Sequence, residues 1–359
     1  MINVLKSEIK LSTLTSIKFG GTAKYFASFN NIYELRELLN FAKNENQKIV
    51  ILGGGSNVIF PDEGFDGLVL KNNIKELNYE INSNSNEVIF KAGAGENWDS
   101  YVKFCCEEGF QGIECLSGIP GSTGATPIQN VGAYGQEVAD TIVNVQALRI
   151  EDNSIVNFNK HECGFAYRSS IFKKEQKDRY IITEVTFRLK LNSPPELKYK
   201  ELKDEVENDE KYKKLTDNTE KLNFAREKVI QIRKRKSMVI DENDENSVSC
   251  GSFFMNPVLS ESEYKIFSDK IKDFQNQPRV FSSESGIKIP AAWLIENAGF
   301  KKGFSKNGAA ISTNHSLALV NKGSTTENLL DLAKDIEEKV FEVFGVQLHK
   351  EPVVIMNNE

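Results

Sequence analysis

The chain has 359 residues, of which 40% are hydrophobic and 27% charged, and a formal net charge of −6. That length predicts two or three domains; the mild acidity leaves no basic footprint for nucleic acid, and no apolar run approaches the ~20 residues that span a bilayer. Five cysteines without CxxC spacing and three histidines, no two at metal-ligand spacing, predict free thiols in a reducing cytoplasm and no metal centre.

The opening MINVLKSEIKLSTLTS lacks the apolar stretch and cleavage site of a secretory leader. Leu35, Leu38, Leu39 and Ala42 recur at helical spacing, which predicts a helix over 31–44 capped by Asn30 or Asn31. Lys48 to Leu52 reads as a buried strand running into the turn Gly53-Gly54-Gly55-Ser56-Asn57. Strand-like runs follow at 67–70 and 88–91, then a helix over 98–109. The runs 141–150, 154–158 and 180–189 predict an antiparallel α+β region. Ser193-Pro194-Pro195 punctuates the chain. The charged segment 196–217, with sparse apolar residues Leu197, Tyr199, Leu202 and Val206, reads as a solvated helix or loop. A basic amphipathic helix is predicted over 222–236 and a mobile acidic loop over 241–246. Structured residues resume at 251–259. They are followed by helices over 261–274, 291–298 and 326–344, and a strand over 316–320. A terminal strand over 346–356 is interrupted by Pro352, which favours an edge position.

Two glycine-rich segments stand out. One is Gly53-Gly54-Gly55-Ser56-Asn57; the other is Ile119 to Gly135, IPGSTGATPIQNVGAYG. Glycine allows close backbone approach at an entropic cost, and successive N–H groups in such loops form concave sites for anions. Together they predict a large cofactor with a diphosphate in its middle. Val58 stands where a dinucleotide-binding fingerprint needs glycine, and no GxxxxGK[ST] loop occurs, so neither common nucleotide motif applies. Taken alone, GGGSN also fits a plain turn.

The order GGGSN, GAGENW, GIPGSTGATPIQNVGAYGQE, FAYRSSIF, GSFFMNP, AAWLIENAGF and LHKE resembles the bacterial UDP-N-acetylenolpyruvoylglucosamine reductases over almost the whole chain. That resemblance implies a flavoenzyme of peptidoglycan precursor synthesis, with non-covalent FAD and NADPH as reductant. It implies an α+β fold of the vanillyl-alcohol-oxidase type, with two FAD-binding subdomains and a third, substrate-binding domain. The corresponding ranges are 1–72 completed by 345–359, 73–220, and 221–344. It also implies a cytoplasmic monomer acting on UDP-N-acetylglucosamine-enolpyruvate. FAD contacts carry over to Gly53, Gly55, Ser56 and Asn57, and to Pro120, Gly121, Gly124, Ala125, Thr126, Gln129, Asn130, Gly132, Ala133 and Tyr134, with Ile182 beyond them.

The reaction reduces the enolpyruvyl ether to a lactyl ether. Hydride reaches the terminal carbon, and negative charge develops on the neighbouring carbon and its carboxylate. The resemblance assigns that carboxylate to Arg168, whose fork of donors matches it; outside the Tyr167-Arg168-Ser169 motif an arginine reads as a surface ion pair. Ser252 falls on the family's general acid, an unusual role for a residue that elsewhere reads as a cap or turn. Glu351 falls on the catalytic glutamate, itself protonated or bridged by a cation. Pro352 follows it where the family usually has valine, and pushes Glu351 toward extended backbone. Substrate contacts map to Tyr167, Lys236, Asn256, Lys302, and Asn314 or His315, while Lys234 and Arg235 read as a solvated face. Leu197-Lys198-Tyr199 resembles the mobile loop of the longer family form, with Tyr199 capping the diphosphate. NADPH and the nucleotide both need the flavin face, so ping-pong kinetics are expected. Two other readings compete. One is a flavin oxidase or dehydrogenase of the same fold acting on a hydroxy acid or sugar; GGGSN lacks the histidine that many use to attach FAD, which disfavours the covalent subclass. The other is a nucleotide-sugar binding protein with a damaged acid site, which the presence of Arg168, Ser252 and Glu351 disfavours.

Overall fold

The computed structural model describes residues 5–283 and 286–357. The chain divides into two compact units. The first contains Ala23–Gly55 and Asp66–Val239 together with the described residues up to Ile9; the second contains Lys10–Thr22, Ser56–Phe65 and the chain from Ile240 onward. The boundary falls inside the first glycine motif, between Gly55 and Ser56.

In the first unit, a four-stranded sheet runs in the order Lys6–Lys10, Thr22–Phe29, Phe65–Asn72 and Lys48–Leu52, and the last pair is parallel. Helix α1, Ile32–Asn44, starts where the Asn31 side chain accepts from the Glu34 N–H. It buries Leu35, Leu38, Leu39 and Ala42 against Leu68 and Leu70. Burying each leucine contributes about 1.5–3 kcal/mol. The strand Lys48–Leu52 departs from expectation: it is an edge strand, and only Leu52 is buried. A short apolar run does not reveal how many neighbours it will have.

The second sheet of this unit is antiparallel. Its order is Ile155–Asn159, Ile142–Arg149, Tyr180–Leu191, Glu87–Gly93 and Leu77–Asn82, and Phe110–Gln111 pairs onto the end of the long central strand. Helix α2, Trp98–Glu107, packs on it through Trp98, Tyr101, Val102 and the adjacent Cys105 and Cys106. Phe90, Tyr101 and Phe187 meet edge-on or tilted, with ring centres 4.9 and 5.3 Å apart.

Two helices fill the charged segment expected to be solvated, α3 (Lys200–Glu207) and α4 (Glu210–Lys214). Leu202 and Val206 are fully buried against Val229 and Ile232 of α5, Asn218–Arg235. Four residues apart, Leu202 and Val206 lie on one helix face. Helix α5 begins earlier than its apolar pattern suggests, because Asp217 caps it at Glu220.

The second unit is built around α8, Thr326–Phe344, which starts at the Thr325 cap and ends at left-handed Gly345. Its apolar face packs with α6, Glu261–Ile271, and α7, Ala291–Asn297. A three-stranded sheet, Ser305–Lys306, Ala309–Ile311 and Leu319–Asn321, completes the layer. The strand expected from Ser316 therefore begins at Leu319, after a turn in which Ala318 N–H bonds His315 C=O. Val353–Val354 pairs in parallel with Val58–Ile59, leaving Pro352 just outside the ladder. The acidic segment expected to be mobile forms a turn. Ser247 Oγ bonds the Asp241 carbonyl at 2.8 Å, and Asn246 Oδ1 accepts from Thr313 N–H at 3.0 Å.

Candidate active site

The two glycine loops touch within the first unit. A Cβ on Gly54 would lie 2.5 Å from Gly121 Cα, and one on Gly53 would lie 2.5 Å from Ser122 Oγ. Gly124 is pressed onto Ala94, whose Cβ would be 2.4 Å from an added methyl. The approach of Gly54 to Gly121 is backbone to backbone, and at all three positions only glycine leaves room. Beyond Gly121 the chain is knit to the start of α2. Trp98 N–H bonds Gly121 C=O, Thr123 N–H bonds Glu96 C=O, and Gly124 N–H bonds Ala94 C=O. Ala125 and Thr126 donate back into the loop, to Ser122 and Thr123, so much of the expected nest is internally bonded. Buried Asn130 likewise organises the loop: its Nδ2 donates to Glu137 at 2.7 Å and to Ala166 C=O at 3.1 Å, and its Oδ1 accepts from Ala139 N–H. Ile182 lies buried on the long strand, its carbonyl accepting from Asn72 Nδ2 at 2.8 Å. Pro120 and Gln129 flank this knot, and Gly132–Ala133 pairs with Gln136–Glu137 in a small hairpin.

Arg168 sits in a tight turn closed by reciprocal bonds between Ala166 and Ser169. Its φ of 51° is unusual for a residue with a side chain. Such strain persists only where the surroundings hold it. Here Arg168 Nη2 donates to Gly132 C=O at 2.7 Å, and the guanidinium lies over the Tyr167 ring at 5.4 Å. Ser170 Oγ donates to Ile128 C=O at 2.6 Å and ties the same turn to the glycine loop.

Tyr134, Tyr199 and Lys236 also come together in the first unit. Tyr134, at φ 49° on the hairpin tip, meets the Tyr199 ring edge-on at 5.6 Å. Lys236 Nζ lies 6.0 Å from the Tyr134 ring centre and 2.7 Å from Glu201 Oε2. Burial pushes the Tyr134 phenol up to about 12, partly offset by Arg233. Lys234 and Arg235 are exposed on α5, and Arg235 pairs with Glu205.

Sequence reasoning missed Arg233. It is 8% exposed, donates to Met238 C=O at 2.7 Å and lies near enough to the Tyr134 phenol for the two to interact electrostatically. Burial lowers its pKa, opposed by Tyr134 and Asp99. The available signal was spacing: Arg233 precedes Lys236 by three helical positions and so shares its face. Asp99 was missed as well. Its carboxylate accepts from Arg226 Nη1 and Nη2, at 2.6 and 2.9 Å, and from the Gly118 N–H at 2.6 Å. Burial works to raise its pKa, but the Arg226 and Gly118 bonds prevail and hold it below the usual carboxylate range. Asp99 thereby joins α2, α5 and the entrance to the glycine loop.

In the second unit, Ser252 and Glu351 lie on neighbouring extended segments. Glu351 N–H bonds Phe253 C=O at 2.8 Å, Met255 N–H bonds His349 C=O at 2.9 Å, and Phe254 pairs antiparallel with Lys350. Phe253 and Phe254 are buried anchors, while Ser252 and Glu351 are half-buried. Asn57 Nδ2 donates to Glu351 C=O at 3.4 Å, and Val353 N–H bonds Asn57 C=O, so the tail of GGGSN abuts the glutamate segment. Asn256 Oδ1 accepts from Ala291 N–H at 2.8 Å and caps α7, whose own cap position is Pro290. Lys302 is exposed on the turn after α7, and Asn314 N–H bonds Ser312 Oγ at 3.2 Å.

Residues 23–159 match an FAD binding domain, and residues 243–355 match the C-terminal domain of UDP-N-acetylenolpyruvoylglucosamine reductase. A solved UDP-N-acetylenolpyruvylglucosamine reductase from Thermus caldophilus shares the fold. Its TM-score is 0.66 at 21% identity, covering 98% of this chain and 100% of that one. The contacting glycine loops on an α+β scaffold thus lie in an FAD-binding domain. A UDP-N-acetylenolpyruvoylglucosamine reductase from Thermobifida fusca is 40% identical over 97% of each chain. One from Flavobacterium johnsoniae is 35% identical over 98% of this chain and 99% of its own. The chain belongs to the UDP-N-acetylenolpyruvoylglucosamine reductase family.

Proposed function

We propose that the protein reduces UDP-N-acetylglucosamine-enolpyruvate to UDP-N-acetylmuramate in peptidoglycan synthesis, using NADPH and non-covalent FAD. The residues fit the cofactor: the segment matching an FAD binding domain carries both glycine loops, whose backbones meet at Gly54 and Gly121. Ranges 1–72 with 345–359 and 73–220 hold FAD, and 221–344 holds the nucleotide. Bound FAD supplies the relay of hydride from NADPH to the terminal carbon of the enolpyruvyl double bond. Arg168, fixed on Gly132 C=O, holds the substrate carboxylate on which charge develops. Ser252 Oγ delivers a proton to the adjacent carbon, completing the lactyl ether, and Glu351 polarises the carboxylate. Tyr199, Lys236 and Asn256 hold the diphosphate and uridyl group, and Tyr167, Lys302 and Asn314 complete the substrate contacts. Lys236 exchanges Glu201 for the diphosphate when the nucleotide enters.

The observation that carries this reading is the pairing of the Ser252 and Glu351 segments through the Phe253–Glu351 backbone bond. It brings the segment bearing a hydroxyl donor beside the segment bearing a carboxylate. The decisive experiment is Ser252→Ala. NADPH should still bleach the flavin, while turnover of the enolpyruvyl nucleotide falls by about 10²–10⁴-fold, the usual contribution of a general acid. Turnover near the wild-type rate removes Ser252 from the mechanism. Among the described residues no helix is long and apolar enough to cross a membrane. All five cysteines are free and buried, which supports a reducing, cytoplasmic setting. We take the working form to be a monomer.

A further inference from the structure

Glu114 is completely buried, and none of the three groups donating to its carboxylate is charged. Oε2 accepts from Gly112 N–H at 2.8 Å; Oε1 accepts from Gln136 Nε2 at 2.9 Å and from Glu196 N–H at 3.0 Å. An unpaired buried carboxylate is an expensive way to bridge loops, because its desolvation must be met by hydrogen bonds alone. An amide would be cheaper but has one acceptor oxygen, and three donors on opposite sides need two.

The groups it joins are informative. Gln136 lies on the hairpin that carries Tyr134 at its tip and Gly132, the residue gripped by Arg168. Glu196 begins the segment that leads to Tyr199. That segment rests on the hairpin tip: a Cβ on Gly135 would be 2.8 Å from Lys198 Cβ and 3.4 Å from Tyr199 N. The direction of the bonding is set as well. Gln136 Oε1 accepts from Cys115 N–H at 2.8 Å, so the amide cannot flip to offer its oxygen to a neutral partner at Glu114.

We propose that Glu114 is a positioning residue. Its carboxylate latches the root of the Tyr199 segment to the flavin-loop hairpin and so sets where Tyr199 stands relative to Tyr134 and Arg168. This rests on the reading of Tyr199 as a substrate contact.

Glu114→Gln keeps the shape and replaces one acceptor by a donor, which orphans a buried N–H. The enzyme is purified with its flavin, and nucleotide affinity is read from the flavin absorbance change on adding the enolpyruvyl nucleotide. Wild type, Glu114→Gln, Tyr199→Phe and the double variant are compared. Glu114→Gln should retain flavin and weaken nucleotide binding about 10-fold, as expected for an orphaned buried donor. KM should rise in parallel, with kcat changed less than about twofold. In the Tyr199→Phe background the same change should have little further effect, because Glu114 acts through Tyr199. An unaltered affinity in Tyr199→Phe refutes the Tyr199 reading itself. A weakened Tyr199→Phe beside an unaltered Glu114→Gln overturns the latch alone. So does an undiminished Glu114→Gln effect in the double variant, which would make Glu114 a plain fold carboxylate. If Glu114→Gln does not fold, Gln136→Met interrupts the same latch at its other partner and must show the same affinity loss. Loss of flavin from both variants also overturns the proposal.

Discussion

Gly54→Ala adds one methyl where two backbones already touch. Its Cβ would stand 2.5 Å from Gly121 Cα, 2.8 Å from Gly121 C and 3.2 Å from Gly121 N, against ordinary contact at 3.4–4 Å. The loops must separate by about 1 Å. Overpacking a tight site costs about 1–3 kcal/mol. The upper end applies here, because neither neighbour is a side chain that can rotate away and Gly121 is tied to Trp98 N–H. A penalty of about 3 kcal/mol lowers Tm by roughly 6–12 °C, at about 2–4 °C per kcal/mol for a unit of this size. Widening the same gap disturbs the proposed diphosphate cradle, so flavin content should fall with Tm. Thermal melting and the flavin-to-protein absorbance ratio read both effects. A Gly54→Ala protein with full flavin and a Tm within about 1 °C of wild type would refute the contact between the loops.

Two further outcomes follow from the electrostatics. Asp99 has a folded pKa held below its unfolded value, so its pairing with Arg226 stabilises the protein above about pH 4 and that contribution is lost as pH falls through the folded pKa. Arg226→Met should cost about 1–2 kcal/mol at neutral pH, discounted because the Asp99 side chain is 35% exposed, and should flatten the acid limb of a urea-stability profile; an unchanged limb would exclude the pair as its cause. Burial pushes the Cys163 and Cys250 thiols up to about 12, and Cys105, Cys106 and Cys115 are raised by the same cause. Thiolate is the reactive species, so iodoacetamide at pH 8 should label the folded protein far more slowly than the urea-unfolded chain; rapid labelling of any cysteine in the folded protein contradicts its burial.

Local order along the chain was legible because it arises from local chemistry. The apolar period of Leu35 to Ala42 and the Asn31 cap define α1, and Thr326 to Phe344 was readable to the residue. The glycine clusters marked where backbones approach closely, and the motif around Arg168, Ser252 and Glu351 carried the family. Tertiary structure decided everything that depends on a partner far along the chain. Whether Lys48–Leu52 is central or at an edge depends on which strands lie beside it. Leu202 and Val206 looked sparse among charges until α5 supplied the surface they bury. Arg233 resembled its exposed neighbours in a basic run, yet the fold encloses it beside Tyr134. Glu114 was one acidic residue among many. Its role comes from three donors at positions 112, 136 and 196, gathered around one carboxylate by the fold. Periodicity and capping act over a few residues and are written in order along the chain. Burial and hydrogen-bond satisfaction depend on neighbours that only chain closure brings together.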